Sequence, residues 1–434
     1  MNFSESLAPA VLSVDGARLW ASLMDLARIG ATKKGGVCRL TLTDLDRQAR
    51  DRFVQWAREL DCEVRVDRIG NIFARRPGSD PSRRAVATGS HLDTQPTGGR
   101  FDGNYGVLAG LEVLRTLKDA GIRTEAPLEV CVWTNEEGSR FVPVMMGSGV
   151  YGGAFSLELA LAATDRDGHS VASALAAIGY DGSAPAAVAD GAPAFDAYFE
   201  AHIEQGPILE SEDVVIGAVT GALGQRWYDV TITGQEAHAG PTPMHLRRDA
   251  LLVASRLVAQ VNRIALSQAP HGRGTVGCLS VHPDSRNVIP GRVTLTVDFR
   301  HPDDAGLLRM DDALKAAVET ERAAGGGGID IGVEQVVYFP PTAFDPALLD
   351  SIRAGARAIG IEPLDIVSGA GHDAVYAARI APTAMIFIPC KDGISHNEIE
   401  DALPEHVTAG ANVLLQAMLA RAGSATPDRR HGTG

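Results

Sequence analysis

The stretch from Arg84 to Leu117, "RAVATGSHLDTQPTGGRFDGNYGVLAGLEVLRTL", constrains the fold more than any other part of the chain. Its opening, "RAVATGSH", reads as a buried strand that ends at His91. A glycine-rich polar turn follows. Val107, Leu108, Leu111, Leu114 and Leu117 then recur along one face of a helix over Gly103–Ala120. The same order returns downstream. "LEVCVWTNEE" reads as a strand ending at Glu136, "AYFEAHIEQG" as one running through His202, and "PTAMIFIP" as a third. Helices are expected around Gly16–Ile29, Leu42–Asp61, Pro346–Ile359 and Pro404–Arg421. Short apolar strands separated by helices define an α/β chain with a mostly parallel, mixed sheet. In such sheets ligands gather at the carboxyl ends of the strands.

A chain of 434 residues exceeds one ordinary core. The pattern changes near Gly217. "RWYDVTITG" and "VTLTVDFR" alternate with a period of two, as half-buried antiparallel strands do. Helical stretches lie at Asp249–Ile264 and Asp304–Ala323. Residues 217–332 are therefore expected to form an α+β domain inserted into an α/β domain made of 1–216 and 333–434.

Bulk properties exclude several partners. A formal charge of -14 argues against nucleic acid, whose phosphates need a basic surface. The five cysteines show no CxxC spacing and read as reduced thiols of a cytoplasmic protein. The opening "MNFSESLAPAVLSVDG" lacks the basic start and apolar run of a signal peptide, and "IAPTAMIFIPC" is too short to span a bilayer, so no membrane partner is expected.

Five residues near predicted strand ends have the chemistry of metal ligands: His91, Asp102, Glu137, His202 and His396. Mixed imidazole and carboxylate donors suit zinc, manganese, cobalt or nickel rather than calcium. Two adjacent ions need one bridging carboxylate. Asp102 fits that part, because Gly99 and Gly103 let the backbone approach closely. Asp93, two residues after His91, is expected to hold that histidine's other nitrogen. The adjacent pair Glu136–Glu137 allows one carboxylate to bind metal while its neighbour carries a proton, which is a hydrolase layout.

The ordered set "SHLDTQPTGGRFDG", "NEEGSRF", "HIEQG" and "SHNE" resembles the amidase, hydantoinase/carbamoylase family of the M20 metallopeptidase superfamily, over about Gly16–Ala420. The family includes N-carbamoyl-L-amino acid hydrolases, β-ureidopropionases and allantoate amidohydrolases. The resemblance implies a zinc-peptidase-like catalytic domain and an inserted ferredoxin-like lid and dimerisation domain. It implies two divalent ions per subunit, one held by His91, Asp102 and His202, the other by Asp102, Glu137 and His396. Glu136 would be the general base and later the acid. His238 in "GQEAHAGPTPM" would reach a neighbouring subunit's site and polarise the scissile carbonyl. Asn287 and Arg300 in "SRNVIPGRVTLTVDFR" would hold the substrate carboxylate. Gln205 would contact substrate, as would the loop "SGAGHDA" with Gly369 and His372.

From the residues alone, Arg300 also reads as a surface ion-pair residue, Asn287 as a turn residue, His238 as a loop imidazole and His372–Asp373 as a helix cap. Arg140 has no assigned part. The resemblance implies a homodimeric amidohydrolase that cleaves the carbamoyl C–N bond of N-carbamoyl amino acids. Alternatives are an allantoate amidohydrolase, an aminoacylase or peptidase of the superfamily, and a binding protein that has lost hydrolysis. The peptidase branch usually has a carboxylate where this chain has His202.

Overall fold

The computed structural model describes residues 11–325 and 327–424. The first ten residues of the opening read for a targeting signal lie outside them. The chain divides into two compact units. One holds the chain up to Thr220 and again from Phe344, and the other is Gly221–Ala343.

The first unit is built on a mixed sheet with a parallel centre. Val86–His91 pairs in parallel with Leu128–Trp133 on one side and Ala197–Ile203 on the other. Thr383–Ile388 lies parallel to Ala197–Ile203. Every residue of these four strands is buried, which explains their apolar composition. Antiparallel strands close both sides. Ile72–Arg76 and Glu63–Val66 lie beyond Leu128–Trp133. Gly217–Ala222 lies beyond Thr383–Ile388 and pairs in turn with Leu364–Ser368. Helix Asn104–Asp119 is buried along most of its length and packs against Val86–His91.

Parallel strands end at the same edge of a sheet. His91 stands opposite Trp133 in the ladder, and Phe387 opposite His202. The segments leaving these strands therefore start from one edge, and they carry Asp102, Glu136, Glu137 and His396. This common edge is what collects residues far apart in sequence.

The strand expected to end at Glu136 stops at Trp133. The Thr134 N–H turns away from the ladder and bonds Asn71 Oδ1. Asn135 adopts a left-handed φ of 55° and anchors a loop through Phe141 O and Pro143 O. Glu136 and Glu137 thus lie on a loop, freed from strand alternation.

The second unit runs β-α-β-β-α-β, through Gly224–Thr233, Ala250–Ser267, Leu279–His282, Arg292–His301, Asp304–Ala324 and Asp330–Phe339. The second strand pairs with the third, the third with the first and the first with the fourth, all antiparallel, which is the ferredoxin-like arrangement. The expected boundary at Gly332 falls inside the last strand, so the unit extends to Ala343. Gly325 caps the helix Asp304–Ala324, and Gly326 lies outside the described residues. Helix Ala250–Ser267 is long and apolar enough to cross a membrane. Its stripe of Val253, Ala254, Leu257, Val261 and Ile264 is instead buried with the inner face of the five-stranded sheet, whose fifth strand, Arg273–Thr275, pairs with Arg292–His301.

Helix Asp44–Glu59 contributes a buried ion pair to the first unit. Arg50 Nε lies 2.8 Å from Asp46 Oδ2, and both side chains are sealed from solvent. Arg50 also donates to Gly70 O and Thr134 Oγ1, next to the Glu136 loop. Asp46→Ala would strand this guanidinium, at a cost of about 3–5 kcal/mol. Urea unfolding of the variant checks this; an unchanged midpoint would show that the pair contributes nothing.

Candidate metal centre

His91 and His202 occupy ends of adjacent parallel strands, with ring centroids 6.2 Å apart. Asp102 sits in the turn before helix Asn104–Asp119. Gly103, at φ 66°, makes this turn possible, and a Cβ there would collide with the His91 ring. One oxygen of Asp102 faces His91 Nε2 at 3.6 Å and His202 Nε2 at 3.2 Å. The other faces His396 Nε2 at 3.3 Å. His396 Nε2 is also 3.4 Å from Glu137 Oε2.

Two groups result, His91–Asp102–His202 and Asp102–Glu137–His396. In each, the donor atoms lie within 4.8 Å of one another. The first is buried, and the second opens to solvent at His396, whose side chain is 52% exposed. The structure therefore gathers all five residues singled out as metal ligands, with Asp102 common to both groups.

Backbone carbonyls orient the two buried rings. His91 Nδ1 lies 2.9 Å from Asp93 O, and His202 Nδ1 lies 2.9 Å from Ile203 O. With Nδ1 bonded to a carbonyl, Nε2 on the Asp102 side is the nitrogen that can exchange its proton for a metal. Asp93 holds His91 Nδ1 as expected, chiefly through its main-chain carbonyl, while its carboxylate oxygen stands farther from the same Nδ1, at 3.8 Å. The carboxylate accepts the Glu136 and Glu137 N–H groups at 3.4 and 3.3 Å and so fixes the acidic loop. Glu136 Oε2 lies 3.5 Å from His91 Nε2, beside the first group.

Three residues at the centre were not singled out from the sequence. Glu200 is buried two positions before His202 and bonds Ser90 Oγ, Tyr198 OH and Ala374 N–H. The period of two that puts Glu200 and His202 on one face of the strand was its only available signal. Glu400 accepts from Phe101 N–H and Asp102 N–H at 2.9 and 3.1 Å. Ser395 Oγ lies between Asp102 Oδ2 and Glu400 Oε2. Nothing in local spacing marks Glu400 or Ser395, because their partners are about 300 residues away.

Electrostatics point to cations. Asp93, Asp102, Glu136, Glu137, Glu200, Asp373 and Glu400 are all buried within this region. Burial drives Glu136 well above the ordinary glutamate range; His91 opposes this, while Asp373, Glu137 and Asp102 add to it. Burial and then Asp102 push Glu137 to about 7. Asp102 pays the same burial penalty, yet bonds from His202, His396 and His91 hold it well below the carboxylate range. The bond to Asp102 lifts His396 to about 9. Crowded buried acids and imidazoles in one place form a donor set that divalent cations balance.

Gln205, at φ 58°, donates from Nε2 to Asp102 Oδ2 at 2.8 Å. Its Oε1 is buried without a partner. Gly369 follows strand Leu364–Ser368 in the loop leading to His372. His372 is buried rather than presented to solvent. Its ring meets His202 edge-on at 4.6 Å, and its Nε2 lies 2.8 Å from Ser368 Oγ. It begins helix Asp373–Ala377 without a side-chain capping bond. Arg140 donates to Thr41 O, Leu42 O and Asp165.

In the second unit His238 is exposed and pairs with Val288, while the Ala239 N–H bonds Asn287 O. This short ladder continues the pairing of Gly224–Thr233 with Arg292–His301 past Thr233 and Arg292. Arg300 lies at the far end of the same strand, 2.9 Å from Asp298. At about 3.4 Å per residue, Arg292 and Arg300 are roughly 27 Å apart. Asn287 and Arg300 of one chain therefore cannot hold the same carboxylate.

Paired imidazole and carboxylate groups on the edge of a mixed α/β sheet are the donor set of a divalent-metal enzyme. The comparisons name the class further. Residues 87–420 match the model of peptidase family M20/M25/M40, and the chain belongs to that family. It is 47% identical over 408 residues to an N-carbamoyl-L-amino-acid amidohydrolase of Rhizobium meliloti, covering 94% of this chain and 96% of that one. It superposes with a TM-score of 0.92, at 60% identity, on the crystal structure of an amidase of the hydantoinase/carbamoylase family from Burkholderia multivorans, covering 95% of this chain and 99% of that one. A ureidoglycolate hydrolase of Oryza sativa is 34% identical over 412 residues, covering 93% of this chain and 84% of that one.

Protons and metal compete for these donors. A cation at the second group displaces the proton held by Glu137 near 7 and that held by His396 near 9. Zn²⁺ affinity should therefore rise with pH between 6 and 9, with protons released on binding. Chelator competition across that range measures it; a flat profile would contradict the assignment of these two residues.

Proposed function

We propose that this protein hydrolyses the carbamoyl C–N bond of N-carbamoyl amino acids, of the L-α or β type, to the amino acid, carbon dioxide and ammonia. The observation that carries the reading is Asp102, whose two oxygens face separate ligand groups with Glu136 alongside. The R. meliloti relative, named for this activity and matched along almost its whole length, supports it.

His91, Asp102 and His202 would hold one divalent ion, and Asp102, Glu137 and His396 a second, as Zn²⁺, Mn²⁺, Co²⁺ or Ni²⁺. Such ions supply Lewis acidity and make water nucleophilic near neutral pH. Glu136 takes the proton of the attacking water and returns it to the leaving nitrogen. Cations held beside it would offset the burial and the neighbouring carboxylates that raise this carboxyl. Breaking the C–N bond frees the amino acid, and the remaining carbamic acid falls apart to carbon dioxide and ammonia.

Arg300 holds the substrate carboxylate, with a planar fork matched to two oxygens. His238 polarises the carbonyl. Gln205, Asn287, Gly369 and His372 complete substrate binding, His372 through the His202 ring it packs on. The chain acts as a homodimer through its second unit, in the cytoplasm. The separation of Arg300 from Asn287 supports the dimer, because residues on opposite ends of one strand can serve one substrate only when two copies contribute. A ureido acid such as allantoate is the second reading, favoured by the O. sativa relative named ureidoglycolate hydrolase.

Ammonia release from N-carbamoyl-L-alanine, N-carbamoyl-β-alanine and allantoate in parallel should rank a carbamoyl amino acid first; a preference for allantoate would select the second reading. Glu136→Gln should keep its metal by elemental analysis while kcat falls by about 10²–10⁴. Wild-type turnover in that variant would remove Glu136 from the mechanism.

A further inference from the structure

The segment around Arg39–Arg50 precedes the residues that match the family model, yet it is bonded to both loops of the metal centre. Arg39 is completely buried. Its Nε donates to Leu92 O at 2.8 Å, between His91 and Asp93. One terminal nitrogen donates to Leu26 O and Ile29 O. The other donates to Asn104 Oδ1 at 2.5 Å. Asn104 in turn donates to Asp102 O. The Arg39 backbone exchanges bonds with Thr94, giving its N–H to Thr94 Oγ1 and accepting the Thr94 N–H on its carbonyl. The next residues on this segment hold the other loop. Thr41 O and Leu42 O accept from Arg140, three residues after Glu137, and Arg50 reaches Thr134.

No carboxylate is hydrogen-bonded to the Arg39 guanidinium among the described residues. A sealed cation spent on carbonyls and one amide is costly to keep unless its geometry matters. Two of its acceptors, Leu92 O and Asn104 Oδ1, sit next to candidate ligands on different turns, His91 and Asp102. A planar fork can set the spacing between two such turns, and a lysine cannot.

We propose that Arg39 is a positioning residue for the metal centre. Its guanidinium fixes the distance between the His91 turn and the Asp102 turn, and so makes the N-terminal segment a working part of the site. This rests on the metal-centre reading given above.

The test compares Arg39→Lys, Asn104→Ala and Arg65→Lys in the full-length, Zn²⁺-loaded protein. Arg65 pairs with Glu129 over the Phe73 ring and bonds none of the candidate ligands, so it controls for general loss of packing. Equilibrium competition with a chelator gives Zn²⁺ affinity, thermal melting gives stability, and steady-state kinetics give kcat and KM separately. Arg39→Lys should bind Zn²⁺ about 10–100-fold more weakly and lose kcat with KM unchanged. Arg65→Lys should melt earlier while keeping its Zn²⁺ affinity. An Arg39→Lys protein that melts earlier but keeps wild-type affinity and kcat overturns the proposal. Should Arg39→Lys not fold, Asn104→Ala decides: weaker Zn²⁺ binding upholds the link from Arg39 to Asp102, and unchanged binding overturns it. A wild-type protein that takes up no Zn²⁺ overturns the metal-centre reading itself, and this inference with it.

Discussion

The structure depends on a local excess of buried negative charge. Carboxylates of Asp93, Asp102, Glu136, Glu137, Glu200, Asp373 and Glu400 crowd one edge of the sheet, where water cannot screen them. Isolated, each would cost several kcal/mol to bury. Backbone N–H groups relieve part of this, as at Asp93 and Glu400. Imidazoles relieve more at Asp102. Divalent cations balance the remainder, and the two imidazole tautomers set by Asp93 O and Ile203 O leave donors aimed where such cations would sit.

The parallel strands turn this requirement into geometry. Their common carboxyl edge brings together His91, His202, and the loops bearing Glu136–Glu137 and His396. The loops are then tied by bonds that span most of the chain, as between Glu400 and Phe101 N–H. The site is thus stiffened from outside the ligand set.

Much of this was legible in the sequence, and the reasons differ by residue. Strands and helices of the first unit were readable because fully buried strands are apolar runs and helix Asn104–Asp119 repeats its leucines. The five candidate ligands were readable because histidine and acid among glycines at strand ends are hard to explain otherwise. The Trp133 strand end was hidden, since it is set by Asn71, far away in sequence, and by the left-handed Asn135. Arg39, Glu200 and Glu400 were hidden because a buried charge is recognised only by its distant partners. The register that separates Asn287 from Arg300 was hidden too: both lie in one short quoted segment, and only the pairing of that strand shows them at opposite ends.

The central claim is that Asp102 is shared by two cations. Anomalous X-ray diffraction from crystals of the Zn²⁺-loaded protein tests it directly. The account predicts two peaks per chain, one among His91, Asp102 and His202 and one among Asp102, Glu137 and His396, with Asp102 between them. Ions bound elsewhere, or none touching Asp102 at full metal occupancy, would contradict it.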